Sequence, residues 1–61
     1  MDKFIEIEFE FRDDKERALI NVNHIIAIVT INKEVFIRTV GKELDYKVNM
    51  SYEDLKKLVQ G

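Results

Sequence analysis

The run of apolar residues from Ile25 to Val29 limits the possible folds of this chain more than any other feature. A strand with one face in water alternates apolar and polar residues, whereas this run places apolar side chains on both faces. With 61 residues, the chain has room for one small core. The run therefore predicts a strand whose two faces must both be shielded from water. A chain this short cannot easily supply enough other residues to pack on both faces.

The composition, 46% hydrophobic and 36% charged, is typical of a globular protein, and we expect one domain over residues 1–61. The chain has no cysteine and one histidine, His24, so a disulfide or a zinc site cannot stabilise it. Self-association is the support that remains for a domain of this size. The missing cysteines fit a cytoplasmic location. The N-terminus is unlike a signal peptide and no apolar run could span a bilayer, so we expect a soluble protein without a membrane partner.

Residues 4–11, FIEIEFEF, alternate with a period of two, which predicts a strand with one face in water. The polar cluster at residues 12–15 favours a four-residue loop after it. Such a loop would set Ile7 opposite Ile20 in the next strand.

Two tighter turns are predicted further along, at Asn32-Lys33 and at Gly41-Lys42, because two-residue loops keep the apolar residues of three strands on one face. In this register Thr39 would lie opposite Ile26 on one side and opposite Leu44 on the other. The predicted core face then consists of Ile26, Ile28, Val35, Ile37, Leu44, Tyr46 and Val48.

A helix is predicted after Ser51, which stands three residues before Asp54 in a variant of the capping box. An apolar stripe at helical spacing follows, and Gly61 suits the end of the last turn. The stripe consists of Tyr52, Leu55, Leu58 and Val59. About ten residues of helix are not stable alone, so we expect the stripe to dock on the sheet.

Together these patterns predict an α+β fold, a five-stranded and mostly antiparallel β-meander with one C-terminal α-helix packed on one face. The pairing leaves five apolar residues on the face away from the helix: Ile25, Ala27, Val29, Phe36 and Val40. We predict that they form a subunit interface. Two alternatives are a curled sheet that covers this face itself and a surface for a different protein.

No motif for catalysis or for a cofactor is present, so we expect a protein that is not an enzyme and that needs neither cofactor nor metal. His24 has no second histidine or cysteine with which to hold a metal. Glu6, Glu8 and Glu10 would stand about 7 Å apart in a row along a strand, which suits a wet face better than a cation site. Ser51 is explained by helix capping.

The favoured function is therefore that of a small binding or regulatory module that acts through protein–protein contacts, as a homodimer or small ring. The alternative is a nucleic-acid-binding regulator in which neighbouring subunits assemble a basic surface from Lys33, Arg38, Lys42 and Lys47. A formal net charge of −2 makes nucleic acid the weaker expectation.

Residues 18 to 59 resemble the small flagellar FlbD family, in which an asparagine-bearing turn leads into an Ile-rich strand, a hairpin, a glycine turn, a further strand and a short helix. They are also similar to the first half of LytTR-type DNA-binding domains. The likeness rests on Asn21, the isoleucines after it, Gly41 and Ser51. It implies a bacterial or phage-type regulatory or accessory protein.

Overall fold

The computed structural model describes residues 2–61. Its elements are β1 (Phe4–Phe11), β2 (Asp14–Asn21), a 3₁₀ turn (Val22–His24), β3 (Ile25–Ile31), β4 (Glu34–Thr39), β5 (Tyr46–Val48) and α1 (Tyr52–Gln60). The strands form one antiparallel sheet in the order β2-β1-β5-β4-β3. The predicted α+β fold with five strands and a C-terminal helix is confirmed. No helix within the described residues is long and apolar enough to cross a membrane.

The sheet is curled, because its two outermost strands follow each other directly in the chain. In a flat sheet β2 and β3 would be four strand spacings apart, about 19 Å. The three residues of the 3₁₀ turn between them rise only about 6 Å. Backbone hydrogen bonds hold this turn in place, from the Val22 amide to the Lys3 carbonyl (2.9 Å) and from the Val40 amide to the His24 carbonyl (2.8 Å). The curl gives the sheet a concave face, which holds the core, and a convex outer face.

The β1–β2 and β3–β4 hairpins close through two-residue turns of the same kind. Arg12 and Asp13 have φ values of 52° and 66°, and Asn32 and Lys33 have φ values of 51° and 70°. Positive φ at both central residues is the type I′ geometry that matches the twist of the strands. The turn predicted at Asn32-Lys33 is confirmed.

The four-residue loop predicted after β1 is wrong, because both strands continue to the tighter turn. Ile5, rather than Ile7, lies opposite Ile20, and Ile7 lies opposite Ala18. The register is shifted by two residues. Since side chains alternate with a period of two, the predicted faces of both strands are nevertheless correct.

The predicted pairing of β4 with β5 is confirmed in its central part and wrong at its end. Ile37 lies opposite Tyr46 as expected, but β4 ends at Thr39, so Thr39 and Leu44 do not pair. The hydrogen bond from the Val40 amide to His24 draws the chain toward the 3₁₀ turn instead of into a strand. Leu44, predicted in the core, is therefore 69% exposed in the loop.

A β-bulge near the start of β3 exchanges the positions of two isoleucines. Ile25 lies opposite Thr39 and Ala27 lies opposite Arg38, which leaves Ile26 as the additional residue. An inserted residue moves the alternation by one position. Ile25, predicted on the outer face, thus packs against the core, and Ile26, predicted in the core, is 62% exposed.

The core lies between the concave face and α1. Its buried residues are Ile5, Ile7, Ile20, Val35, Ile37, Val48 and Leu55. Half-buried residues pack around them, among them Ile28 and Tyr46, and the Tyr46 ring meets that of Phe9 edge to face at 4.8 Å.

The N-terminal cap of α1 is confirmed. Ser51 Oγ accepts a hydrogen bond from the Asp54 amide at 3.1 Å, and at the other end the Gly61 amide donates to the Lys57 carbonyl. Leu55 is fully buried and Val59 is half-buried. Tyr52 and Leu58 remain 40% and 37% exposed, so the docked stripe is narrower than predicted.

Candidate interaction surface

Three of the five predicted interface residues lie together on the outer face of the sheet. Val29 is directly opposite Phe36, and Ala27 is two residues before Val29 on the same face of β3. All three are half-buried, although α1 lies on the other side of the sheet. Ile31 continues the row and is 56% exposed. We call Ala27, Val29, Ile31 and Phe36 the apolar patch.

The other two predicted interface residues do not belong to the apolar patch. The bulge turns Ile25 toward the core. Val40 is 62% exposed, but it follows the end of β4 and its backbone is bonded to the 3₁₀ turn. Sequence reasoning missed Ile31, although the alternation from Ala27 through Val29 leads directly to it.

Oppositely charged residues flank the patch on β4. Glu34 lies opposite Ile31 at one end, and Arg38 lies opposite Ala27 at the other. Arg38 Nε is 3.2 Å from Asp45 Oδ1. The patch is therefore an apolar strip with a charged residue at each end, and each of these residues is held in an ion pair.

The outer face of β1 and β2 is of the opposite character. Glu8 lies opposite Arg17 and Glu10 lies opposite Lys15, so two of the three carboxylates of β1 have a cation as cross-strand neighbour, whereas Glu6 lies opposite Leu19. Such pairs suit a surface that stays in water. The outer face is thus mostly charged on β1 and β2, with Phe4 and Leu19 exposed at one end, and mostly apolar on β3 and β4.

Lys47 of β5 stands between these two parts. Its Nζ is 3.2 Å from Glu10 Oε2 and 3.4 Å from Glu34 Oε1. The hydrogen bond to Glu10, then that to Glu34, and the attraction of both carboxylates raise the pKa of the Lys47 ammonium above its ordinary value. The cation remains charged at neutral pH and joins three strands.

The two ends of the sheet differ as well. In the described chain, residues 2–61, β3 pairs with β4 alone and β2 pairs with β1 alone, so each has one unpaired edge. The edge strand β2 begins with four charged residues, Asp14 to Arg17, whereas the edge strand β3 has no charged residue from Ile25 to Ile31. Charges on an edge strand discourage pairing with another chain. Only the β3 edge lacks that protection.

The four residues of the predicted basic surface lie on different elements. Lys33 lies in the turn before β4, and Lys42 lies in the loop after it with Nζ 3.8 Å from the centre of the Tyr46 ring. Arg38 and Lys47 have carboxylate partners. These ion pairs lower the positive potential available to a phosphate backbone.

The asparagines around the 3₁₀ turn have structural roles. Asn21 Oδ1 accepts from the Asn23 amide at 2.9 Å, and the side-chain amides of both residues donate to the carboxylate of Asp2. His24 contributes its backbone carbonyl to the bond with Val40 and its side chain is exposed. Within residues 2–61, no three histidine, cysteine or acidic side chains are grouped as metal ligands. The β3–β4 surface is therefore the candidate site.

Comparisons with protein-family models, with curated proteins and with solved structures found no match to this chain. The resemblance to the FlbD family and to LytTR-type domains stays a prediction.

Proposed function

We propose that this protein is a non-enzymatic interaction module that self-associates through the apolar patch and acts in regulation through protein–protein contacts. The observation that supports this proposal is the place of the patch, on the outer face beside an edge strand without charges. A contiguous apolar area with a charged rim is the usual mark of an interface.

A second copy of the same chain is the occupant that the layout of the patch favours. A two-fold axis through the centre of the patch would bring the Glu34 end of one copy toward the Arg38 end of the other. Contacts of this isologous kind are the commonest in symmetric oligomers. The same surface can thus complement itself in apolar area, while its end charges, already paired with Asp45 and Lys47, oppose no like charge.

The small core is a second argument for association. Within residues 2–61 the core has seven buried residues, and the chain has no cysteine with which to add a disulfide. Domains of this size gain only about 3–5 kcal/mol from their own core. Burial of the patch against a second copy would add apolar area at about 25 cal/mol per Å² before the entropic cost of association.

The test is the mass in solution, measured by light scattering over a range of concentrations. We expect the parent to be larger than a monomer, and Val29→Lys to be monomeric or to unfold on dilution, because two lysines would then oppose each other near the two-fold axis at the centre of the patch. The matched control is Leu19→Lys on the outer face of β2, where Leu19 is 67% exposed. The control should associate like the parent.

A parent that stays monomeric at high concentration would contradict the proposal. So would a Val29→Lys variant that associates as strongly as the control. Equal loss of association in both variants would show that any added positive charge prevents assembly, and it would remove the patch as the cause.

A further inference from the structure

We infer that two copies of this chain join edge to edge, with β3 of one copy antiparallel to β3 of the other about a two-fold axis at Val29, so that two five-stranded sheets become one of ten strands. The inference rests on the proposed self-association and adds its geometry. Contact between the outer faces of two sheets, without strand pairing, is the arrangement that the test must separate from it.

Alternate residues of β3 direct their backbone groups away from β4. The two-residue turn after β3 has the type I′ geometry, and a turn of this length is closed by a hydrogen-bonded pair, which here is Ile31 and Glu34. Such pairs alternate along an antiparallel ladder. Val29 and Ala27 therefore direct their amides and carbonyls to β4, whereas Ile28 and Thr30 direct theirs away from it. In the described chain no strand lies on that side.

The free groups determine the register of the pair. With the axis at Val29, Ile28 of each copy lies opposite Thr30 of the other. Each of these pairs then exchanges two hydrogen bonds. The two free amides and the two free carbonyls of each copy, on Ile28 and Thr30, are therefore all satisfied. An axis at Ile28 or at Thr30 would leave some of them without a partner in the regular part of β3.

The side chains favour the same register. On the outer face Val29 meets its own copy across the axis, and Ala27 meets Ile31. The apolar patches of the two copies then join into one strip. Residues 27–31 carry no charge, so no like charges are opposed. The bulge at Ile26 ends the regular ladder at Ala27, which prevents pairing in a shifted and longer register.

Because the chain has no cysteine, single cysteines can test this geometry directly. In a non-hydrogen-bonded antiparallel pair the Cα atoms are about 4.5 Å apart, which a disulfide can bridge. Val29→Cys should therefore form a covalent dimer under mild oxidation and stay a monomer on a reducing gel. The controls are Leu19→Cys and Val40→Cys, whose native side chains are 67% and 62% exposed. If disulfides formed only through random collisions between molecules, the exposed controls would crosslink more than Val29→Cys, since Val29 is half-buried.

A second pair of variants tests the register without changing the axis residue. Ala27→Cys mixed with Ile31→Cys should form a mixed disulfide, because these positions lie opposite each other. Either variant alone should crosslink weakly, since a residue and its copy would then be four positions out of register, about 13 Å apart. This experiment also decides the question if Val29→Cys does not fold.

Amide exchange followed by NMR provides a readout that needs no substitution. The amides of Ile28 and Thr30 should become protected as the protein concentration rises. If light scattering shows a dimer while these amides exchange rapidly and Val29→Cys crosslinks no better than the controls, edge pairing is wrong and the proposed self-association stands. A monomeric parent would overturn both.

Discussion

The two hairpins of this protein, β1–β2 and β3–β4, have the same backbone turn and different surfaces. Each closes through two residues with positive φ, and each contributes fully buried isoleucines to the core, Ile7 from the first and Ile37 from the second. On the outer face the first carries cross-strand charge pairs and the second carries the apolar patch. The inner faces are equivalent in character, and the outer faces are not.

This difference shows that the apolar patch is not required for the fold. The β1–β2 hairpin has acids and bases on the corresponding face and still forms eight cross-strand pairs. A sheet with one face in water needs apolar residues on the other face only. The additional apolar residues of β3 and β4 therefore need an explanation outside the monomer, which the proposed interface provides.

The largest expected effect is the loss of stability when a buried isoleucine is shortened, and it tests whether the two hairpins contribute equally to the core. Ile7→Ala and Ile37→Ala should each cost about 2–5 kcal/mol, which is comparable with the whole stability of a small domain. Circular dichroism at 25 °C should find both variants largely unfolded. Ile7→Val and Ile37→Val should stay folded and lose about 0.5–1.5 kcal/mol in urea unfolding at one protein concentration.

If one valine variant lost much less than the other, the two hairpins would not contribute equally to the core. The comparison would then have to include the inner faces as well.

A smaller effect is expected from the turns. A non-glycine residue in the left-handed region carries a strain of about 1–2 kcal/mol, and aspartate tolerates this region better than lysine. Lys33→Gly should therefore raise the free energy of unfolding by about 0.5–1 kcal/mol, with part of the gain offset by the greater freedom of glycine in the unfolded chain. Asp13→Gly, the matched change in the other hairpin, should give a smaller gain. Equal gains, or a loss at Lys33, would show that the turns differ in more than their residues.

The smallest effect concerns Lys47, which joins the two hairpins through Glu10 and Glu34. Since folding raises the pKa of this ammonium above its ordinary 10.5, its contribution is complete below that pH and is lost as the pH rises through the folded value. Lys47→Met should be slightly less stable than the parent at pH 7–9. The difference should shrink well above pH 10.5 and in high salt. A difference that grows in alkaline solution would contradict this account.

The sequence predicted faces better than it predicted registers. In β1–β2 the predicted loop was two residues too long, yet every side chain was assigned to the correct face, because the shift was even. At the start of β3 the error was one residue, and Ile25 and Ile26 exchanged faces. The candidate interface therefore retained Ala27, Val29 and Phe36, lost Ile25 and Val40, and gained Ile31.

What the sequence alone determined is local. Alternation over Phe4–Phe11, the Asn32-Lys33 turn and the Ser51 cap depend on residues within a few positions of one another, and the structure confirms all three. The tertiary structure decided the bulge, the curl and the loop after β4. These depend on the bonds that fasten the 3₁₀ turn to Lys3 and to Val40. A hydrogen bond between groups far apart in the chain leaves no periodic trace in the sequence, because backbone amides and carbonyls are the same at every residue except proline.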